Sequence, residues 1–263
     1  MMRPEVQPSW RVRIREWSRT ALNQSWMNGV NRLLTLQSRV SCSPIVPNEQ
    51  LPFLAPLEEH WEEIRAELEQ VLALSAPIPA LSDIEPGQYG IAGNDGWHSF
   101  FLFGFGEKME GACRICPRTA ALLQAIPGLQ SAFFSVLKPG KNIPVHNGVY
   151  RGFLRGHLGL IVPEGRCALR FPGKDLETTW EEGHAFVFDD SYPHEVENHL
   201  DTTRVVLLFD FRRPMGFPTR WLNRLFLRLI RRSIFVRDAL ANQRRWEART
   251  LAAWETRGPV ATA

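Results

Sequence analysis

Beyond residue 129 the apolar positions stop recurring at helical spacing and gather into short runs, at 131–137, 156–162, 167–171, 185–188 and 204–211. Turn-forming residues separate them: Pro139-Gly140, Pro163 with Gly165, Pro172-Gly173 and Glu182-Gly183. Residues 97–104, dense in aromatics, read as one more strand upstream. Many short strands with no helical pattern between them predict an antiparallel sandwich or barrel, and a jelly roll in particular.

Helical spacing governs the rest of the chain. Between residues 10 and 40, Trp10, Ile14, Trp17, Ala21, Leu22, Trp26, Val30, Leu33 and Leu34 fall at helical spacings with arginines between them. That pattern predicts one or two amphipathic helices, either packed on the domain or lying at a membrane surface. The prolines at 44, 47, 52 and 56 stop the helix and predict an extended connector. A helix over 57–74 follows, with Trp61, Ile64, Leu68, Val71 and Leu72 as its apolar stripe and Glu58, Glu59, Glu62 and Glu63 in its first turns. Residues 77–95 are turn-rich, and a short helix opens at Pro117 and ends by 125. After Pro214 the chain returns to helix, with Trp221, Leu222, Leu225, Phe226, Leu229 and Ile230 set against Arg220, Arg224, Arg228, Arg231 and Arg232. Such a tail suits packing on the domain, an acidic partner or anionic lipid. The organisation expected is mainly β with flanking α-helices: amphipathic helices and connector over 1–56, the jelly-roll domain with its supporting helices over 57–214, and a basic helical tail over 215–263.

Composition and charge narrow the choices. The 263 residues are 44% hydrophobic, enough to bury a sizeable core. A net charge of +3 conceals segregation: residues 1–40 carry seven Arg against two Glu, and residues 212–263 twelve Arg against three acids. The body between is therefore acidic, which argues against a nucleic-acid reader, since the basic surface would not lie where readout happens. No run of 18 apolar residues is present and the N-terminus lacks the apolar core of a secretory signal, so a cytoplasmic protein is expected. The four cysteines are too few for a disulfide scaffold, and Cys113-Arg-Ile-Cys116, without a second pair, reads as ordinary semi-buried thiols.

Three features of the strand region carry chemistry. His146, before Asn147-Gly148, and His194, just past a strand, are candidate ligands for a first-row metal, because a jelly roll brings strand edges together at its mouth. Arg204 opens an apolar strand, where a buried guanidinium needs an anion, and a carboxylate matches its fork. Ser135 lies on a neighbouring strand, and Arg155 and His157, two apart, share one face of theirs.

Taken in order, Ser135, His146, Arg155, His157, the run Trp180-Glu-Glu-Gly183, the stretch Phe188-Asp-Asp-Ser-Tyr-Pro-His-Glu-Val196 and Arg204 resemble the aspartyl/asparaginyl β-hydroxylase family. The resemblance covers residues 130–214 closely and 97–126 more loosely. It implies a double-stranded β-helix, cupin-like in form, and a dioxygenase that uses Fe(II), 2-oxoglutarate as cosubstrate and O2 to hydroxylate an unactivated C–H bond. In that reading His146 and His194 hold the metal, Ser135 and Arg204 grip the distal carboxylate of 2-oxoglutarate, and His157 contacts the cosubstrate. Arg155 faces the cosubstrate or the substrate's own carboxylate. Gly148 stands where most such iron sites carry an Asp or Glu two residues after the first His. Glycine there is similar to the aspartyl/asparaginyl branch, which uses two histidines with water, and implies an Asp/Asn residue or amino acid as substrate.

The ends resemble another branch. The aspartyl hydroxylases carry a substrate-gripping arginine shortly before the tryptophan matched by Trp97, whereas no Arg occurs here between Leu74 and Gly106. The Pro-rich connector, the Trp61-Glu-Glu-Ile-Arg65 helix, Cys116-Pro-Arg-Thr119 and Arg213-Pro-Met215 with its basic helix are similar to the lipid A and ornithine-lipid hydroxylases. That likeness implies a membrane-lipid acyl chain as alternative substrate, with the basic ends in peripheral contact with an anionic membrane. A jelly-roll binding module without turnover is the remaining reading.

Overall fold

The computed structural model describes residues 21–74, 77–93 and 95–255, and among these it contains eleven strands in two antiparallel sheets. They are β1 (Ile45–Val46), β2 (Trp97–Gly104), β3 (Glu107–Lys108), β4 (Leu129–Leu137), β5 (Ile143–His146), β6 (Phe153–Ile161), β7 (Cys167–Phe171), β8 (Leu176–Thr179), β9 (Ala185–Phe188), β10 (His194–Asn198) and β11 (Arg204–Arg212). The large sheet runs β1-β9-β6-β11-β4-β2-β3 and the small one β5-β10-β7-β8. They face each other, as Phe188 of β9 shows by meeting Phe171 of β7 at 6.2 Å and His194 of β10 at 5.3 Å between ring centres. This is the double-stranded β-helix with flanking helices that the strand pattern and the resemblance predict.

The helices used below are α1 (Ala21–Thr35), α2 (Trp61–Leu72), α3 (Pro117–Gln124), α4 (Thr219–Arg231) and α5 (Ile234–Glu255). The outer face of the large sheet joins one apolar core with Ile64, Leu68 and Val71 of α2, Leu123 of α3 and Val236 and Leu240 of α5. Phe100 on β2 stacks on Phe134 at 6.2 Å and takes the edge of Trp246 at 5.8 Å. Residues 204–211 of β11 are thus buried on both faces, which explains an apolar run unbroken by alternation. Gly156 pairs with Phe209 across the sheet, and a Cβ there would lie 2.2 Å from the Phe209 ring, so only glycine lets the ring cross the strand.

The expected strands form, with ends shifted by a few residues, but β5, β8 and β10 were not expected. Each is four or five residues long and shows at most alternate apolar positions, because one face looks outward; Glu195 and Glu197 on β10 are partly exposed while His194, Val196 and Asn198 are buried. The connector contributes β1, which pairs with β9. The helix expected over 57–74 is broken at His60 into a short helix, Ala55–Glu59, and α2. Of the amphipathic stretch over 10–40, residues 10–20 lie outside the described residues and α1 is the part seen. At the other end α5 is built into the fold, its Glu247 accepting the Ala112 amide at 2.7 Å.

A buried ion pair locks the chain around the site. Arg213 Nη2 meets Asp189 Oδ2 at 2.6 Å with both side chains fully buried, and its Nε donates to the Arg151 carbonyl at 2.8 Å. Asp189 Oδ1 accepts from the Ser191 amide and hydroxyl, so the carboxylate also shapes the turn that leads to His194. Removing one partner leaves the other charge buried and unpaired. Asp189→Ala is therefore expected to lower unfolding free energy by about 3–5 kcal/mol in denaturant titration; a loss below about 1 kcal/mol would show that the pair is dispensable.

Candidate active site

Strand alternation collects the polar residues on one face. On β11, Arg204 lies opposite Leu137, Val206 opposite Ser135, Leu208 opposite His157 and Asp210 opposite Arg155. Directly paired residues share a face, so Ser135, Arg155, His157, Arg204 and Asp210 all point from the large sheet into the space between the sheets. From the other side the small sheet presents His146 and His194, which are paired in register on β5 and β10.

The two imidazoles stand with ring centres 4.2 Å apart. His146 Nδ1 lies 2.9 Å from the Pro144 carbonyl and His194 Nδ1 2.8 Å from the Tyr192 carbonyl. A carbonyl only accepts, so each Nδ1 carries the hydrogen and each Nε2 keeps a lone pair for a metal. Burial depresses both basicities. For His194, with His146 adding to the effect, the pKa falls to about 3; for His146 the lowering is opposed by the Pro144 bond. Both rings are accordingly neutral at physiological pH, the state in which imidazole binds a metal. Among the described residues no group of three or more His, Cys, Asp and Glu is arranged to hold a metal ion, so these two rings would do so as a pair.

Opposite them is a place built for an anion. Arg204 is 2% exposed, yet its Nε and Nη1 have no partner, and its guanidinium lies 4.3 Å above the Trp180 ring. Burial lowers its pKa to about 10, with a hydrogen bond to the Cys167 thiol opposing. Trp180 also donates from Nε1 to His157 Nδ1 at 3.1 Å. That bond places the His157 hydrogen on Nε2, which is buried without an acceptor. Burial first, then Arg204, holds His157 well below its ordinary range, so it is a neutral donor. The Ser135 hydroxyl accepts from Trp97 Nε1 at 2.9 Å, leaving its own hydrogen free to donate. Among the described residues no buried carboxylate satisfies these donors, an arrangement that suits a ligand anion.

Arg155, expected to face the cosubstrate or a substrate carboxylate, already has a partner. It is held bidentately by Asp210, Nε to Oδ1 at 2.8 Å and Nη2 to Oδ2 at 2.9 Å, because Asp210 is its direct partner across the sheet. Only Nη1 is left toward the site, 3.9 Å from Asp190 Oδ2. A free guanidinium waiting for a substrate carboxylate is not what the register produces.

Asp190, absent from the residues expected in the site, occupies the place opened by Gly148. A Cβ on residue 148 would lie 2.6 Å from Asp190 Oδ1, and the Gly148 amide donates to the Asp190 carbonyl at 2.7 Å. Burial pushes the Asp190 carboxyl up to about 7; Arg155 opposes, and Asp210 and Asp189 add to the rise. Trp180 and Asp210 were overlooked in the same way. The spacing of Trp180 and Arg204 carries no sign that one covers the other, but a polar Asp210 inside an otherwise apolar β11 is a signal that sequence reading could have used. Cys113 and Cys116 lie elsewhere, both buried, and burial raises Cys113 to about 12 and Cys116 higher still, so both are thiols held protonated.

The contact between Gly148 and Asp190 can be tested by a double-mutant cycle. Gly148→Ala is expected to destabilise the protein by about 1–3 kcal/mol, the usual result of overpacking. In an Asp190→Ala background most of that loss should vanish. Equal losses in both backgrounds, measured by denaturant unfolding, would mean that Asp190 does not set the restriction.

The family described as Aspartyl/Asparaginyl beta-hydroxylase matches residues 58–214 of the chain. The ornithine lipid ester-linked acyl 2-hydroxylase of Rhizobium tropici is 42% identical over 204 residues, 78% of this chain and 73% of that protein. The human aspartyl/asparaginyl beta-hydroxylase is 31% identical over 167 residues, which cover 62% of this chain but 21% of the much longer human protein. Among solved structures, a Pseudomonas putida prolyl-4-hydroxylase covers 72% of this chain and 100% of its own at 19% identity and a TM-score of 0.37, too low for the likeness to bear on chemistry. The match over 58–214 takes in every site residue described above, and the chain belongs to the aspartyl/asparaginyl beta-hydroxylase family of hydroxylases.

Proposed function

We propose that the protein is an Fe(II)- and 2-oxoglutarate-dependent hydroxylase whose substrate is the acyl chain of a membrane lipid. The observation that carries the cosubstrate assignment is the buried Arg204 guanidinium with two unpartnered nitrogens, set beside the orphan Nε2–H of His157. A monoanion would satisfy that pocket; a dicarboxylate satisfies it and has a second end to offer the metal. The residues present fit both groups: His146 and His194 would hold Fe(II) through Nε2, Arg204 and Ser135 the distal carboxylate, and His157 would donate to the cosubstrate. When bound, the iron, 2-oxoglutarate and O2 supply the oxidising power that hydroxylates a C–H bond, with succinate and CO2 as coproducts.

The protein's own part is positioning and exclusion of water. Phe186 and Phe188 meet the His157 ring edge-on at 5.6 and 5.2 Å, and Phe171 and Phe188 flank His194 at 6.3 and 5.3 Å. These rings keep the site dry, which strengthens the grip of Arg204 on an anion. Trp180 does two jobs: its face holds the guanidinium plane and its N–H fixes the His157 tautomer. No proton needs to be taken from the substrate, so neutral histidines suffice.

For the substrate, the 42% identical relative carries the name of an acyl hydroxylase, and the arginine that would grip a substrate carboxylate is missing between Leu74 and Gly106. Arg155, already paired with Asp210, does not replace it. An Asp- or Asn-type substrate is the second reading, favoured by Gly148 and the 31% identity with the human enzyme. Succinate formation from 2-oxoglutarate, dependent on Fe(II) and stimulated by an acylated ornithine lipid but not by Asp-containing peptides, is the expected result; stimulation by the peptides alone would move the assignment to the second reading, and no succinate with either would refute the enzyme class. Arg204→Ala should weaken 2-oxoglutarate binding by about 2–5 kcal/mol in calorimetry, while near-normal affinity would show that the anion sits elsewhere. His194→Ala should lose stoichiometric iron by metal analysis, and retained iron would exclude the histidine pair as the holder.

A further inference from the structure

Helix α4 covers the small core of Leu34, Tyr150 and Met215 with one side and leaves another uncovered. Trp221, Leu225 and Leu229 lie at successive turns and are 54%, 54% and 57% exposed, with Leu222 beside them. At 100° per residue these four span about a quarter of the helix circumference, and Arg224, Arg228 and Arg232 form the stripe that borders them. Among the described residues none of these three arginines pairs with an acid, and Arg224 lies 5.5 Å from the Trp221 ring. Where α4 meets α5 the basic stripe widens into an open cavity of about 910 Å3 lined by Arg228, Arg231, Arg232, Arg237 and Arg244 around one acid, Glu107. Glu107 is taken by Arg231 and Arg244. An apolar row bordered by unpaired guanidinium groups is matched by a surface that offers hydrocarbon next to phosphate.

The same helix holds the edge of the active site. Asn223 of α4 donates to the Gly152 carbonyl at 2.7 Å and accepts the Tyr150 hydroxyl at 2.7 Å. From α1, Asn31 donates to the Val149 carbonyl and accepts the Arg151 amide, both at 2.9 Å. The segment so clamped, residues 147–152, directly follows His146 and contains Gly148, and its Val149 side chain is 65% exposed.

We propose that α4 is the membrane-docking face of the protein, its Trp221–Leu229 row entering the acyl boundary of an anionic bilayer while the arginine stripe and the α4/α5 cavity take lipid phosphates. On the opposite side of α4, Asn223 ties the docked helix to the 147–152 segment that leads out of His146. The docking face stands on the helix surface alone; that it serves delivery of a lipid substrate rests on the acyl-chain reading.

Sedimentation of the full-length protein with vesicles tests it. Binding to phosphatidylcholine vesicles containing about a third phosphatidylglycerol should exceed binding to pure phosphatidylcholine by at least about tenfold and should weaken in high salt. Leu225→Glu/Leu229→Glu and Arg224→Glu/Arg228→Glu should each lower it by at least about tenfold. Brominated lipid should quench tryptophan emission in the unaltered protein and lose a measurable part of that quenching in Trp221→Phe, a variant that keeps an aromatic at the surface. Unchanged binding in the leucine variant, equal binding to both vesicle types, or quenching unaffected by Trp221→Phe would overturn the proposal. So would a concentration-dependent dimer dissociated by Leu225→Glu/Leu229→Glu, since a second copy would then cover the row. The two readings separate cleanly: vesicle binding without lipid hydroxylation keeps the docking face and removes the acyl-chain substrate, whereas hydroxylation of detergent-dispersed lipid without vesicle binding does the reverse.

Discussion

A fully buried guanidinium without a carboxylate is the constraint on which the centre of this protein turns. Arg204 opens β11, the strand in the middle of the large sheet, and among the described residues desolvation of its charge is answered by the Trp180 face and the Cys167 thiol. Those partners are weaker than an ion pair, so the folded protein carries an electrostatic demand that a ligand anion would meet. The contrast with Arg213 is instructive. That arginine, equally buried, is matched by Asp189 at 2.6 Å and serves structure; the fold therefore has the means to neutralise a buried arginine and leaves Arg204 open.

Register supplies the rest of the arrangement. Because β11 lies between β4 and β6, one alternating face gathers a hydroxyl, an imidazole and two arginines from three strands. The same register pairs Arg155 with Asp210 and thereby removes it from the anion pocket. On the small sheet a single cross-strand pair sets His146 against His194, and their Nδ1 bonds to carbonyls two residues back fix both tautomers by local backbone alone. The histidine pair thus depends on turn geometry, while the polar face around Arg204 depends on long-range pairing.

That division also explains what the sequence could tell. The long apolar strands were legible because both of their faces are covered, Arg204 stood out as a charge opening an apolar strand, and the histidines stood out because a jelly roll brings strand edges together at its mouth. The short strands β5, β8 and β10 escaped because one outward face dilutes their apolar signal. The pairing of Arg155 with Asp210, the stacking of Trp180 on Arg204 and the approach of Asp190 to Gly148 join residues 55, 24 and 42 positions apart. Cross-strand register decides these contacts, and no local spacing encodes it. The arginine-rich ends were visible as composition, yet composition could not say that α5 would be absorbed by the core while α4 kept an apolar row outside.

Gly148 takes on a different meaning beside Asp190. Read along the chain, glycine two residues after His146 is a missing carboxylate. In the fold the space of that side chain is filled by the Asp190 carboxyl, which arrives from four residues before His194. Asp190 is 4% exposed and its Oδ1 has no hydrogen-bond partner, while Arg155 Nη1 lies 3.9 Å from Oδ2. Burial raises the pKa of a carboxyl so placed, and Arg155 opposes the rise. Glycine at 148 is therefore what admits the Asp190 side chain, and a larger residue there would collide with it.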